Sequence, residues 1–146
     1  DGVLVFNDWH IADVKPHLVF DEVLGKYRTL TPSPQLARDR SAVAIADRSV
    51  SSERVLEMAY DVGFRGVFLR NRRYRVRMER TSDYIRMRLC RATTRREILE
   101  MPLTQRRLFL SELRKRLQEF VKGNRFVFDW GVFYIHAKKP FTHKNL

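Results

Sequence analysis

A chain of 146 residues, 44% of them hydrophobic and 32% charged, has the size and apolar content of one folded domain, which excludes a disordered or a fibrous class. Its single cysteine excludes an internal disulfide and a cysteine-rich zinc site, and fits a reducing compartment such as the cytoplasm. The formal charge is +12, and residues 65–116 alone hold 17 bases against 5 acids, so one arginine-rich segment stands in an otherwise neutral protein and suits phosphates, an anionic membrane or an acidic partner face.

The chain opens on Asp1-Gly2 and enters the β-branched run Val3-Leu4-Val5-Phe6 at once. A short, continuously apolar run reads as a fully buried strand, and its abrupt start leads us to expect a piece cut from a longer protein. Asn7, Asp8, Trp9 and His10 follow as a polar, aromatic turn past the carboxyl end of that strand. Residues 17–30 read as an amphipathic helix through Leu18, Val19, Val23, Leu24 and Tyr27. Thr31-Pro32-Ser33-Pro34 breaks it, and a second helical stretch carries Leu36, Ala37, Ala44 and Ile45. Ser51-Ser52-Glu53 opens a better-capped helix with Val55, Leu56, Ala59, Tyr60 and Val62 on its apolar face, closed by Gly63 in a left-handed turn.

A strand is predicted over 67–79, where Tyr74, Val76 and Met78 alternate with Arg73, Arg75 and Arg77. Thr81-Ser82-Asp83 starts a helix over Tyr84 to about Arg91. Past Pro102, Leu110, Leu113, Leu117, Phe120 and Val121 mark the strongest helical stripe, stopped by Gly123-Asn124. A last strand runs from Phe126 to Ala137, with Trp130, Val132 and Tyr134 against Gly131, Phe133 and Ile135. The tail from Lys138 is polar, and frayed ends are the rule for such tails. No apolar run approaches the roughly 18 residues a membrane span needs.

In this order the chain resembles the C-terminal half of a class I S-adenosylmethionine-dependent methyltransferase of the small-molecule type. "DGVLVFNDWH" is similar to the segment where such enzymes place a glycine, an apolar strand and a polar or aromatic turn. "SSERVLEMAYDVGFRGVFLR" resembles their following helix, Gly-Phe hinge and penultimate strand, and "NRFVFDWGVFYIHAKKP" resembles their last strand. The resemblance implies an α/β fold (α+β for the chain by itself), a partial Rossmann-like sheet ending in an antiparallel strand pair, and a helical insert over about 81–121, all in one domain, 1–146. It implies methyl transfer to a small-molecule substrate in the intact enzyme, with Asp8 and His10 as catalytic candidates and Asn7 and Trp9 at the substrate. The family holds S-adenosylmethionine mainly through a Gly-rich turn in its first half. No G-x-G-x-x-G run occurs here, so no cofactor is expected on this chain alone, and a missing N-terminal half or a partner chain is the implied partner.

Other chemistry is thinly signalled. His10, His17, His136 and His143 show no metal-ligand spacing, and Cys90 reads as a small buried helix residue beside Arg88 and Arg91. Arg70, Arg72, Arg73, Arg75 and Arg77 form the candidate surface of a second reading, a non-enzymatic basic module for nucleic acid or another polyanion. Against it, Tyr74 points to the opposite side of the strand from Arg73 and Arg75 and so builds no stacking platform with them.

Overall fold

The structure, a computed structural model, describes residues 2–10, 14–49 and 51–139. The elements are β1 (Gly2–His10), α1 (Lys15–Tyr27), α2 (Pro34–Ser49), α3 (Ser52–Asp61), β2 (Arg65–Met78), α4 (Thr81–Leu89), α5 (Ala92–Glu100), α6 (Leu103–Leu117), β3 (Val121–Lys122) and β4 (Arg125–Lys139). They form a mixed helix-and-strand fold around a four-stranded sheet in which every pairing is antiparallel. β4 lies in the middle with β1 on one side and β2 on the other, and β3 adds a two-residue hairpin to β4. The strand pair 67–79 and 126–137 expected from alternation is thus present and antiparallel, and α4, α5 and α6 fill the expected insert.

Alternation along β4 explains the packing, because successive side chains leave a strand on opposite sides. The even-numbered residues Phe126, Phe128 and Trp130 meet α1, α4 and α6, where Phe20, Val23, Tyr84, Phe109, Leu113 and Leu117 complete the main core. Tyr84 stacks on Phe126 with ring centroids 4.9 Å apart, and Phe20 meets Phe109 edge-on at 5.8 Å. The odd-numbered Phe133, Ile135 and Ala137 are buried on the other side of the sheet, at the end where α3 packs against β2 and β4. α2 is tied to α5 by polar contacts: Arg40 grips Glu97, Arg96 pairs with Asp39, and Ser33 bonds Glu100.

Local signals held in several places. The Ser51 hydroxyl accepts the Arg54 N–H and caps α3, with Glu53 in the first turn. Gly63, at φ 91°, ends that helix, and Gly123, at φ 63°, turns β3 into β4, conformations in which glycine has no Cβ penalty. The Asp83 carboxylate accepts the Arg80 backbone N–H at the start of α4.

Four expectations need correction. Val3 to Phe6 is not a fully buried strand: β1 is a sheet edge, and Val3 and Val5 are 61% and 69% exposed. Asn7 to His10 is not a turn past the strand but its continuation, because β4 extends far enough to pair His10 with Gly131. Cys90 is exposed at the C-terminal cap of α4 rather than buried. The α-helical stripe ends at Leu117; Phe120 lies in a 3-10 turn and Val121 in β3, while Phe109, not Leu110, is the fully buried residue of the first half of α6. The tail beyond Lys139 lies outside the described residues.

Candidate nucleic-acid interface

The main core covers only half of the even-numbered side of the sheet. Beyond Trp130 that side continues as rows of cross-strand neighbours, exposed along β2 and half-buried at Tyr134 and His136, with Val132 buried among them. Val5, His136 and Phe68 form one row; Asn7, Tyr134 and Arg70 the next; Trp9, Val132 and Arg72 the third; and Tyr74 stands beside Trp130. Phe68 is 68% exposed and Tyr74 44% exposed, and Arg70 and Arg72 are exposed as well. The ring of Phe68 lies 6.2 Å from that of His136, and the Tyr74 and Tyr134 hydroxyls share a hydrogen bond of 2.9 Å. That bond, with desolvation behind it, holds the Tyr134 phenol above its ordinary pKa.

Register divides the five arginines singled out in β2. Arg70 and Arg72 share the open side with Phe68 and Tyr74, whereas Arg73, Arg75 and Arg77 face the opposite side, opposite Gly131, Asp129 and Val127. Arg75 is committed there to Asp129 at 3.0 Å. The pairing depresses the Asp129 carboxyl and raises the Arg75 guanidinium. Arg70 and Arg72 make no ion pair among the described residues. β2 therefore interleaves Phe68 and Tyr74 with Arg70 and Arg72 on one side, and β4 adds Tyr134 and His136 beside them. Half of it was readable, since 68, 70, 72 and 74 share a parity. The other half, Tyr134 and His136, comes from a strand about 60 residues away whose register no local pattern fixes.

The catalytic and substrate candidates sit elsewhere than expected. Asn7 is exposed on β1 in the same row as Tyr134, and Asp8 points to the other side of the strand, opposite Phe133. Trp9 and His10 pair with Val132 and Gly131 through the backbone, and their side chains lie outside the described part. Strand geometry thus sends Asn7 and Asp8 to opposite sides of the sheet. Among the described residues no group of His, Cys, Asp and Glu could hold a metal ion. His17 is buried, with its Nδ1 3.0 Å from the Tyr84 hydroxyl. Burial first, then the charges of Arg88 and Arg91, push its pKa down to about 3, which makes it a neutral core group. His143 lies outside the described residues.

Gly63, Gly66 and Gly123 would meet nothing within 4 Å if given a Cβ, and Gly25 would meet only the end of the Arg28 side chain. None of these four stands at the close backbone approach that glycine permits. No helix among the described residues is long and apolar enough to cross a membrane. No protein-family model matches the chain, and no curated protein matches it in sequence.

Proposed function

We propose that this chain is a binding module for single-stranded nucleic acid, and that the open half of its sheet is the binding surface. The observation behind the reading is that Arg70 and Arg72 stand exposed among Phe68, Tyr74, Tyr134 and His136 on one side of the sheet. Single strands are held where cations track the phosphates and exposed rings stack on unpaired bases. A duplex hides its base faces and offers such a surface only phosphates. The preference for single strands follows.

The test is fluorescence anisotropy with a labelled single-stranded oligonucleotide and its duplex, at about 150 mM salt where surface charge is screened within about 8 Å. The single strand binds more tightly than the duplex. Arg70→Glu with Arg72→Glu abolishes that preference, while Arg73→Glu with Arg77→Glu on the opposite side leaves it. Phe68→Ala weakens the single strand by roughly 5- to 150-fold, the equivalent of about 1–3 kcal/mol for one lost stacking contact. Equal loss from both charge reversals, or equal affinity for single strand and duplex, refutes the reading, because bulk charge alone would give either result.

A second reading keeps the chain as the substrate-side portion of an S-adenosylmethionine-dependent methyltransferase acting on a small molecule. It is favoured by the central last strand antiparallel to the strand that follows the Gly63-Phe64 hinge. On that reading S-adenosylmethionine is held by a partner half, and titrating it into this chain by calorimetry gives no saturable binding near 1 μM, which would correspond to about −8 kcal/mol. Micromolar binding by the chain alone would mean that the cofactor site had been misplaced.

A further inference from the structure

A second basic feature lies away from the sheet. α1, α2 and the α4–α5 junction enclose a cleft of about 350 Å³, the lower end of the range for small-molecule sites. Four arginines line it, Arg28, Arg40, Arg88 and Arg91, with two acids, Asp21 and Glu97. The acids are spent: Glu97 takes both Nε and Nη2 of Arg40 at 2.5 and 2.7 Å, and Asp21 takes Nη2 of Arg88 at 2.5 Å. Arg28 and Arg91 are left, both exposed and without an ion pair among the described residues. The cleft is therefore doubly positive.

Two further observations point to an anion. Arg88 is 4% exposed and stacked on Phe20 at 4.8 Å, and its Nε is buried with no hydrogen-bond partner. That atom is closed off from the cleft, so Arg88 contributes fixed positive charge to its wall rather than a donor that a ligand reaches. The first turn of α5 also opens on the cleft through Thr93 and Thr94. No side chain caps that turn and no acid lies in it, so its free N–H groups and the positive end of the helix dipole are uncompensated. The same excess positive charge is felt by His17, which Arg88 and Arg91 both help to keep deprotonated.

We propose that this cleft binds the phosphomonoester dianion of a small phosphorylated molecule. Two unpaired guanidinium groups balance its two charges, their planar forks match its oxygens, and the Thr93 and Thr94 hydroxyls with the free amides of α5 supply neutral donors around it. The cleft leaves room for a group of sugar size beyond the phosphate.

The test is calorimetric titration of the full chain with ribose 5-phosphate, inorganic phosphate and ribose. Ribose 5-phosphate saturates one site and ribose does not bind; saturation by inorganic phosphate with equal affinity also supports the site and assigns all the recognition to the phosphate. Arg28→Gln with Arg91→Gln weakens binding at least about tenfold, the loss expected from one charge-assisted hydrogen bond. Arg107→Gln, an exposed arginine of α6, leaves it unchanged, and thermal unfolding shows both variants folded. Absence of saturation by either phosphate up to about 10 mM, a range reaching the weakest specific affinities, or an equal loss from Arg107→Gln, overturns the proposal.

Discussion

His17 makes the stability of this protein depend on pH in a window where few other groups titrate. The imidazole binds a proton near 6.5 in the unfolded chain and only near 3 in the fold. Between those values the unfolded chain holds more protons, so stability is complete above about 6.5 and falls as the pH drops toward 3. At about pH 5 the unfolded imidazole is some 30-fold favoured by protonation while the folded one is hardly touched, a loss of about 2 kcal/mol relative to pH 7.5. The carboxyls of Glu22, Glu100, Glu112 and Asp129 have folded values depressed below 4.5 or 3.8, so their contribution is lost as the pH falls from there through the folded values, mainly below the pH 5 of the comparison. Urea unfolding at pH 7.5 and about pH 5 measures the loss. His17→Asn places an amide near Nδ1, within reach of the Tyr84 hydroxyl, but cannot titrate. Its stability should change by well under half as much between the two conditions. An equal loss in His17→Asn and the parent chain would refute the assignment.

Phe109 is fully buried between α1 and α6, edge-on to Phe20 and Tyr27, so Phe109→Ala should cost about 3–5 kcal/mol in urea unfolding; a cost below about 1 kcal/mol would show that α6 packs in another phase. If Arg70 and Arg72 each contact one phosphate of a single strand, Arg70→Gln with Arg72→Gln should flatten the dependence of log affinity on log salt by about 1.4. An unchanged slope would place the phosphates elsewhere.

The strands and most helices were legible because their signals are local. Alternation in β2 and β4 needs no knowledge of the partner, and Ser51 and Gly63 mark the ends of α3 by their own chemistry. The misread elements are those whose meaning depends on a neighbour. A run such as Val3 to Phe6 states that apolar side chains leave the strand on both sides, not that both sides are covered. Val3 and Val5 leave β1 on the side where Phe68 is also exposed, while Leu4 and Phe6 are half-buried on the other. In α6 the consecutive apolar residues Leu108, Phe109 and Leu110 allow several phases of the helical stripe, and contact with Phe20 and Tyr27 selects Phe109.

The same distinction governs the basic segment, which composition reports as a single quantity. Position in the fold divides its arginines by what each meets. Arg88 and Arg96 close on Asp21 and Asp39, and Arg116 on Glu22, so acids from α1 and α2 balance bases nearly 60 residues or more downstream. Arg75 is matched across the sheet by Asp129. These pairs join elements, and those at the surface contribute little net stability. Arg70, Arg72, Arg28 and Arg91 have no such acid among the described residues, and they occur in two places with different surroundings. On the sheet the cations alternate with exposed rings, a flat surface suited to extended strands and unstacked bases. In the cleft they line the same wall as threonine hydroxyls and the first turn of α5, a concave site suited to one compact dianion. Net charge states only that some anion is attracted; the neighbours of each unpaired arginine decide which.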